Sequence, residues 1–145
     1  MLEIDIRPTV ANDLSRLMGF DHSVTSESVW QLELRREPGQ VNASFREVRL
    51  PRSISIEYPH NPFALADDWV RKSMMYTGLV GQDPVGYISL LERGAASVVW
   101  VTDLVVNMAY RRQGVANALL AAAQDWATNR SHRRLILEMQ SKNLP

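Results

Sequence analysis

The 145-residue chain predicts an α+β domain, a mixed central β-sheet flanked by helices. Three observations predict it. Residues 74–91 read as two strands about a short turn, and 97–106 as a long apolar strand. An Ala- and Leu-rich helix then leads to a further strand near Leu135. Strand–helix–strand makes its two strands parallel neighbours, while the hairpin before it makes an antiparallel pair, so the sheet is mixed.

Leu2, Ile4 and Ile6 alternate with Glu3, Asp5 and Arg7, the pattern of a first strand, which Pro8 ends. Thr9 or Asn12–Asp13 opens a short helix with Val10, Leu14, Leu17 and Met18 as its buried stripe. Trp30, Leu32 and Leu34 share one face of an extended segment, Glu37-Pro38-Gly39-Gln40 is a turn, and Val41, Ala43 and Phe45 alternate beyond it as a hairpin partner. A separate strand is expected at Ile54-Ser55-Ile56, after Pro51. Pro59 and Pro62 mark a loop, and 64–72 a short helix with Leu65, Ala66 and Trp69 inward. Strands at 74–80 and 85–91 surround Gly81-Gln82-Asp83-Pro84, and Arg93-Gly94-Ala95 turns the chain again. The 97–106 strand is apolar enough to be buried on both faces. A helix over about 113–129 sets Val115, Leu119, Ala122 and Trp126 on one side, and Leu135, Ile136, Leu137 and Met139 form the last strand.

Composition bounds the class. Hydrophobic residues make up 46% and charged residues 22%, so the whole chain, 1–145, reads as one ordinary globular domain. Formal net charge is +0, so no global field draws the chain onto nucleic acid or an anionic membrane, and neither is an expected partner. There is no Cys, which excludes disulfides and thiolate metal sites and fits a reducing cytoplasm, the expected location. No apolar run approaches the roughly 20 residues of a membrane span, and MLEIDIRPTV lacks the regions of a signal peptide. His22, His60 and His132 have no metal-ligand spacing, so no metal is expected.

The start of the 113–129 helix poses a physical problem. Four N–H groups at a helix start lack internal partners and carry about half a positive charge between them. Acceptors such as Ser or Asp usually serve them; here the approach carries Arg111 and Arg112 instead. A bound anion resolves the conflict, since phosphate oxygens accept several N–H groups at once, Gly114 permits close approach and Ala116 stays small. The bland alternative is an ordinary helix with exposed arginines and a tolerated glycine.

With these residues in view, VTDLVVNMAYRRQGVANALL resembles the acetyl-coenzyme A binding segment of the GNAT superfamily of N-acetyltransferases. That signature is Arg/Gln-x-x-Gly-x-Gly/Ala after a strand, and Arg111-Arg112-Gln113-Gly114-Val115-Ala116 matches each specified position. IDIRPTVANDLSRL and DPVGYISL are similar to the family's first strand and helix and to its turn into a central strand, and LILEMQSKNLP resembles the streptothricin acetyltransferase branch. Residues 22–62, the zone that shapes the substrate wall in this family, match no named motif. The resemblance implies a GNAT-like fold and acetyl-CoA as cosubstrate. It implies that the main-chain N–H groups of Arg112, Gln113, Gly114, Val115 and Ala116, beside Arg111, hold the diphosphate. It further implies that the segment Leu104-Val105-Val106 pairs with the pantetheine arm through Leu104 and Val106, that Val106 N–H polarises the carbonyl, and that Asn143 touches the arm.

Acetyl transfer to an amine requires a group to take the amine's proton. Three carboxylates are candidates: Asp103 beside Leu104, Glu138 on the neighbouring strand, and Glu92 at the end of the 85–91 strand. Each is open to the plainer role of a structural or solvated carboxylate. Trp30 and Trp69 are core residues or substrate-stacking surfaces, and Arg130, Arg133 and Arg134 complement the helix end or a 3′-phosphate. The expected reaction is direct acetyl transfer to a primary amine of a small molecule or protein. A non-catalytic acyl-CoA-binding sensor or subunit is the alternative. In the family the leaving-group acid is often a Tyr on a helix beyond the Asn; neither Tyr87 nor Tyr110 matches that position. The expectation is therefore a chain lacking the C-terminal helix and last strands, either a fragment or one completed by a second subunit in a homodimer.

Overall fold

The computed structural model describes residues 2–94 and 97–143. They fall into two compact units, one within Met1–His22 and His60–Glu138, the other within Ser23–Pro59 and Met139–Pro145. No helix among the described residues is long and apolar enough to cross a membrane.

The first unit holds a five-stranded sheet in the order β1-β4-β5-β6-β7. Its strands are β1 (Asp5–Pro8), β4 (Met74–Val80), β5 (Asp83–Glu92), β6 (Val98–Val106) and β7 (Arg134–Leu137). All neighbours are antiparallel except β6 and β7, which are parallel, as the intervening helix α3 (Val115–Asn129) requires. The mixed sheet with flanking helices is the expected fold class.

One sheet face carries α3. Val115, Leu119, Ala123 and Ala127 pack on Val85, Ile88, Leu90, Val99 and Val101. The buried stripe is thus every fourth residue from Val115, and the expected Ala122 and Trp126 are only half-buried beside it. In so Ala-rich a helix, methyl groups on either side of the stripe differ little in hydropathy, so the sequence leaves its azimuth free by one residue. Likewise β6 alternates buried and half-buried residues rather than being buried on both faces. Two glycines let α3 come close. At Gly86 an added Cβ would stand 3.0 Å from the Val105 carbonyl oxygen and 3.0 Å from Val115 Cγ1; at Gly78, its cross-strand partner, 3.4 Å from Val115 Cγ1.

Among the shorter elements, a 3-10 turn, Ala11–Asp13, leads into α1 (Leu14–Met18), which buries Leu14 and Leu17. Val10 is 48% exposed, contrary to expectation, because the turn begins after it and the backbone there is still extended. Near Pro62, 3-10 turns flank α2 (Leu65–Asp68); Leu65 is buried and Trp69 half-buried, but Ala66 points outward on this single helical turn. The turn at Arg93-Gly94 has Gly94 at φ +64°, while Ala95 lies outside the described residues.

The second unit is the hairpin of β2 (Val24–Glu37) and β3 (Gln40–Ile56), turned at Pro38-Gly39 with Gly39 at φ +76°. Pro51 does not divide β3 as expected. The register passes from Ser28↔Arg49 to Ser26↔Ile54, so Pro51 sits in a bulge where no ladder N–H is needed. Trp30 N–H donates to the Ser141 carbonyl at 2.9 Å, and exposed Met139 lies beyond the end of β7 rather than in it.

Candidate functional site

The start of α3 is built to present amides. Gly114 caps it in the left-handed region at φ +92° and, as glycine, offers no side-chain acceptor to the first N–H groups, and no acidic residue stands in the first turn. The helix's first internal bond runs from Ala118 N–H to the Gly114 carbonyl at 3.0 Å, so the N–H groups of Val115, Ala116 and Asn117 precede the ladder. Arg112, exposed, is also left-handed at φ +63°, a conformation that costs a non-glycine residue roughly 1–2 kcal/mol. Alternation of left- and right-handed residues turns successive N–H groups to one side, forming an anion-binding concavity.

The two arginines divide the work. Arg111 donates from Nε to the Val106 carbonyl at 2.9 Å and from its guanidinium to the Asp21 carbonyl at 2.9 Å, while its own N–H bonds Met108 O at 3.3 Å. It therefore ties the loop to the end of β6. Gln113 braces the same loop by donating from Nε2 to the Ala109 carbonyl at 3.0 Å. Tyr110 packs half-buried against the core below it.

The second component is the edge of β6. Its pairing with β7 ends at Val101↔Leu137, whereas β6 continues to Val106. A bulge at Thr102, between the pairs Leu90↔Val101 and Ser89↔Asp103, coincides with this parting. Asn107 N–H donates to the Val85 carbonyl, and in an antiparallel ladder the residues facing the partner alternate. Leu104 and Val106 consequently turn their main-chain groups away from β5, toward the side that β7 has left. Val105, opposite Tyr87, turns its own to β5, so of the expected trio it does not face the open edge.

On the sheet face away from α3, Asp103 is 8% exposed. His60 Nδ1 lies 3.0 Å from its Oδ1; Thr102 Oγ1 donates to Oδ2 at 3.2 Å, and Lys72 Nζ stands 3.7 Å from Oδ2. Ser89, directly opposite Asp103, is fully buried and its hydroxyl has no partner among the described residues. Tyr87 is buried too. Its hydroxyl meets His22 Nε2 at 3.0 Å, and His22 Nδ1 meets the Phe20 carbonyl at 2.7 Å. A carbonyl can only accept, so Nδ1 carries the hydrogen and Nε2 accepts from Tyr87. Burial, and secondarily the charge of Asp103, push the Tyr87 hydroxyl far above its ordinary pKa, so it stays protonated. His60 and Lys72 were not singled out from the sequence as partners of Asp103; 43 residues separate His60 from it.

The other two carboxylates differ in where they stand along the sheet. Glu92 pairs with Val99, five residues before Leu104 and thus ~17 Å along the strand. His132 Nε2 and Arg130 hold it at 2.8 Å each, lowering its pKa, chiefly through the His132 hydrogen bond. It anchors the end of α3 and is not brought to the open edge. Glu138 is exposed, one residue past the last β7 pair, where β6 and β7 part. Asn143 belongs to the second unit, its N–H bonded to the Gln140 carbonyl at 3.0 Å.

The sequence pattern of the Acetyltransferase (GNAT) family matches residues 40–145. Among solved structures, a nourseothricin acetyltransferase matches with TM-score 0.79 at 22% identity, over 98% of this chain and 76% of that one. A Bacillus anthracis protein named for streptothricin acetylation, solved with acetyl coenzyme A, matches with TM-score 0.72 at 23% identity over 97% and 77%. A ribosomal-protein-alanine N-acetyltransferase from Brucella melitensis matches with TM-score 0.62 at 14% identity over 99% and 83%. No curated protein sequence matches the chain.

Proposed function

The chain belongs to the Acetyltransferase (GNAT) family, and on that premise we propose that it moves an acetyl group from acetyl-CoA to a primary amine by direct attack in a ternary complex. The observation that carries this reading is the uncapped helix start, approached by Arg112 and Gly114 in left-handed conformations, at the strand end where β7 has diverged. The main-chain N–H groups of Arg112, Gln113, Gly114, Val115 and Ala116 hold the diphosphate, with the positive helix end adding to the attraction. Leu104 and Val106 pair by backbone with the pantetheine arm, and Val106 N–H polarises the carbonyl. Bound acetyl-CoA supplies a thioester whose acetyl group an amine can take; without Cys, the chain has no acetyl-Cys route. The acceptor is an amine of a small molecule, a streptothricin-like antibiotic among them, or of a protein. Both kinds are named among the structural neighbours.

Thermal unfolding with CoA and acetyl-CoA tests the seat. At a hundred times Kd a ligand stabilises by about 2.7 kcal/mol, which for a chain of this size raises Tm by roughly 5–10 °C. Gly114→Glu places a side chain on a backbone at φ +92° and adds a negative charge, so the ligand-induced shift should vanish against the variant's own baseline. A full shift in that variant would overturn the placement. Turnover is read separately, as free thiol released only when both protein and amine are present.

A further inference from the structure

We propose that His60, backed by Asp103, is the catalytic residue that takes the proton from the acceptor amine. The inference rests on the acetyl-transfer reading above and deepens it.

Asp103 is poorly placed to do this work alone. It is 8% exposed, and its two oxygens already face His60, Thr102 and Lys72. His60, in contrast, has a side chain 56% exposed while its Nδ1 is held at 3.0 Å by that buried carboxylate. A carboxylate oxygen can only accept, so Nδ1 carries the hydrogen, and in the neutral ring Nε2 is the basic nitrogen. This is the division of labour by which a buried carboxylate orients an imidazole and steadies its cationic form. Lys72, after the turn that follows α2, stands 3.7 Å from Asp103 and offsets part of its charge. Among the charged and titratable groups facing this carboxylate are Lys72 and, in its protonated form, Tyr87 on β5. Position agrees with the role. Asp103 lies at the bulge and immediately precedes Leu104, where the open edge of β6 begins.

The acceptor arrives as an ammonium, R–NH3+, and His60 Nε2 takes one proton, freeing the nitrogen lone pair. That pair forms the N–C bond to the thioester carbonyl carbon as the C–S bond breaks, its electrons leaving on sulfur. The second amine proton neutralises the thiolate, and the imidazolium returns its proton to solvent. The products are amide, free thiol and one proton.

The test compares wild type, His60→Gln, His60→Ala and Asp103→Asn in thiol release with an amine panel, across pH 5 to 9, beside the CoA thermal shift. Loss of a general base costs roughly 10²–10⁴-fold in kcat. Both His60 variants should show that loss, keep the wild-type CoA shift and KM for acetyl-CoA, and lose the acid limb of the wild-type pH profile. Added imidazole should restore part of the rate to His60→Ala alone. If His60→Gln stays within about threefold of wild type while Asp103→Asn is inactive, Asp103 is itself the base and the role of His60 is overturned. A wild type that shifts with CoA yet stays silent across the panel overturns the transfer reading, and the proton acceptor with it.

Discussion

Asp13 gathers four donors inside the first unit. Arg7 reaches both of its oxygens, at 2.7 and 2.9 Å, the Val10 N–H donates at 2.9 Å and the Thr77 hydroxyl at 3.3 Å. The site links β1, β4 and the entry to α1, so one carboxylate settles how the first strand hands over to the first helix. Hydrogen bonding from Arg7, the largest influence, holds its pKa below the usual carboxylate value. A depressed folded pKa contributes stability that is present above the unfolded value, roughly 3.9, and is lost as pH falls through the folded one. Asp13→Asn keeps the shape but gives up the charge and one acceptor, leaving a buried donor mismatch worth about 2 kcal/mol. Urea midpoints should separate wild type and variant at pH 7, and the gap should close progressively below about pH 4. An unchanged gap at pH 3 would show that the carboxylate charge is not what stabilises this junction.

At the scale of elements, the seat depends on how closely α3 approaches the sheet, and Gly86 sets that distance. In Gly86→Ala the new methyl meets a backbone oxygen at 3.0 Å, which cannot rotate away, and the Val115 side chain in the first turn of α3. Overpacking of this kind costs typically 1–3 kcal/mol, a fall in Tm of roughly 2–4 °C per kcal/mol at this size. Relief requires the helix start to lift, so CoA affinity should fall as well. Gly78→Ala, with its nearest contacts at 3.4 Å and all on side chains, should be milder in both readouts. Equal effects from the two substitutions would mean that the helix start is not positioned by this contact. The elements themselves were largely legible, because turn residues punctuate them: Pro38-Gly39, and the Gly81-Gln82 turn between β4 and β5. Pro51 misled, since a bulge leaves its missing N–H unneeded and β3 runs through. The uncapped start of α3 was legible because it breaks a local rule within a few residues. The partnership of His60 with Asp103 was not, since it arises only when the loop after β3 and strand β6 meet in space. No period or spacing along the chain encodes that meeting.

At the scale of the molecule, two properties reinforce one another. Sixteen basic residues offset 16 acidic ones and the pI is near 6.8, so copies of the chain repel one another least near neutral pH. The hairpin, meanwhile, sets Leu32 opposite Phe45 and Leu34 opposite Ala43 on one face with Trp30, and these large side chains are 40–65% exposed. Exposed apolar surface of that kind favours association whenever net charge does not oppose it. Light scattering at high protein concentration should therefore peak near pH 7 and fall on either side, with added salt weakening the fall because it screens the returning charge. Leu32→Thr with Phe45→Thr keeps β-branched residues in the strands while removing apolar area. It should flatten the scattering peak with a Tm change of no more than a few degrees, since those side chains bury little in the folded chain. A peak that persists in the double variant would assign the association to some other surface; one that ignores pH would remove net charge from the explanation.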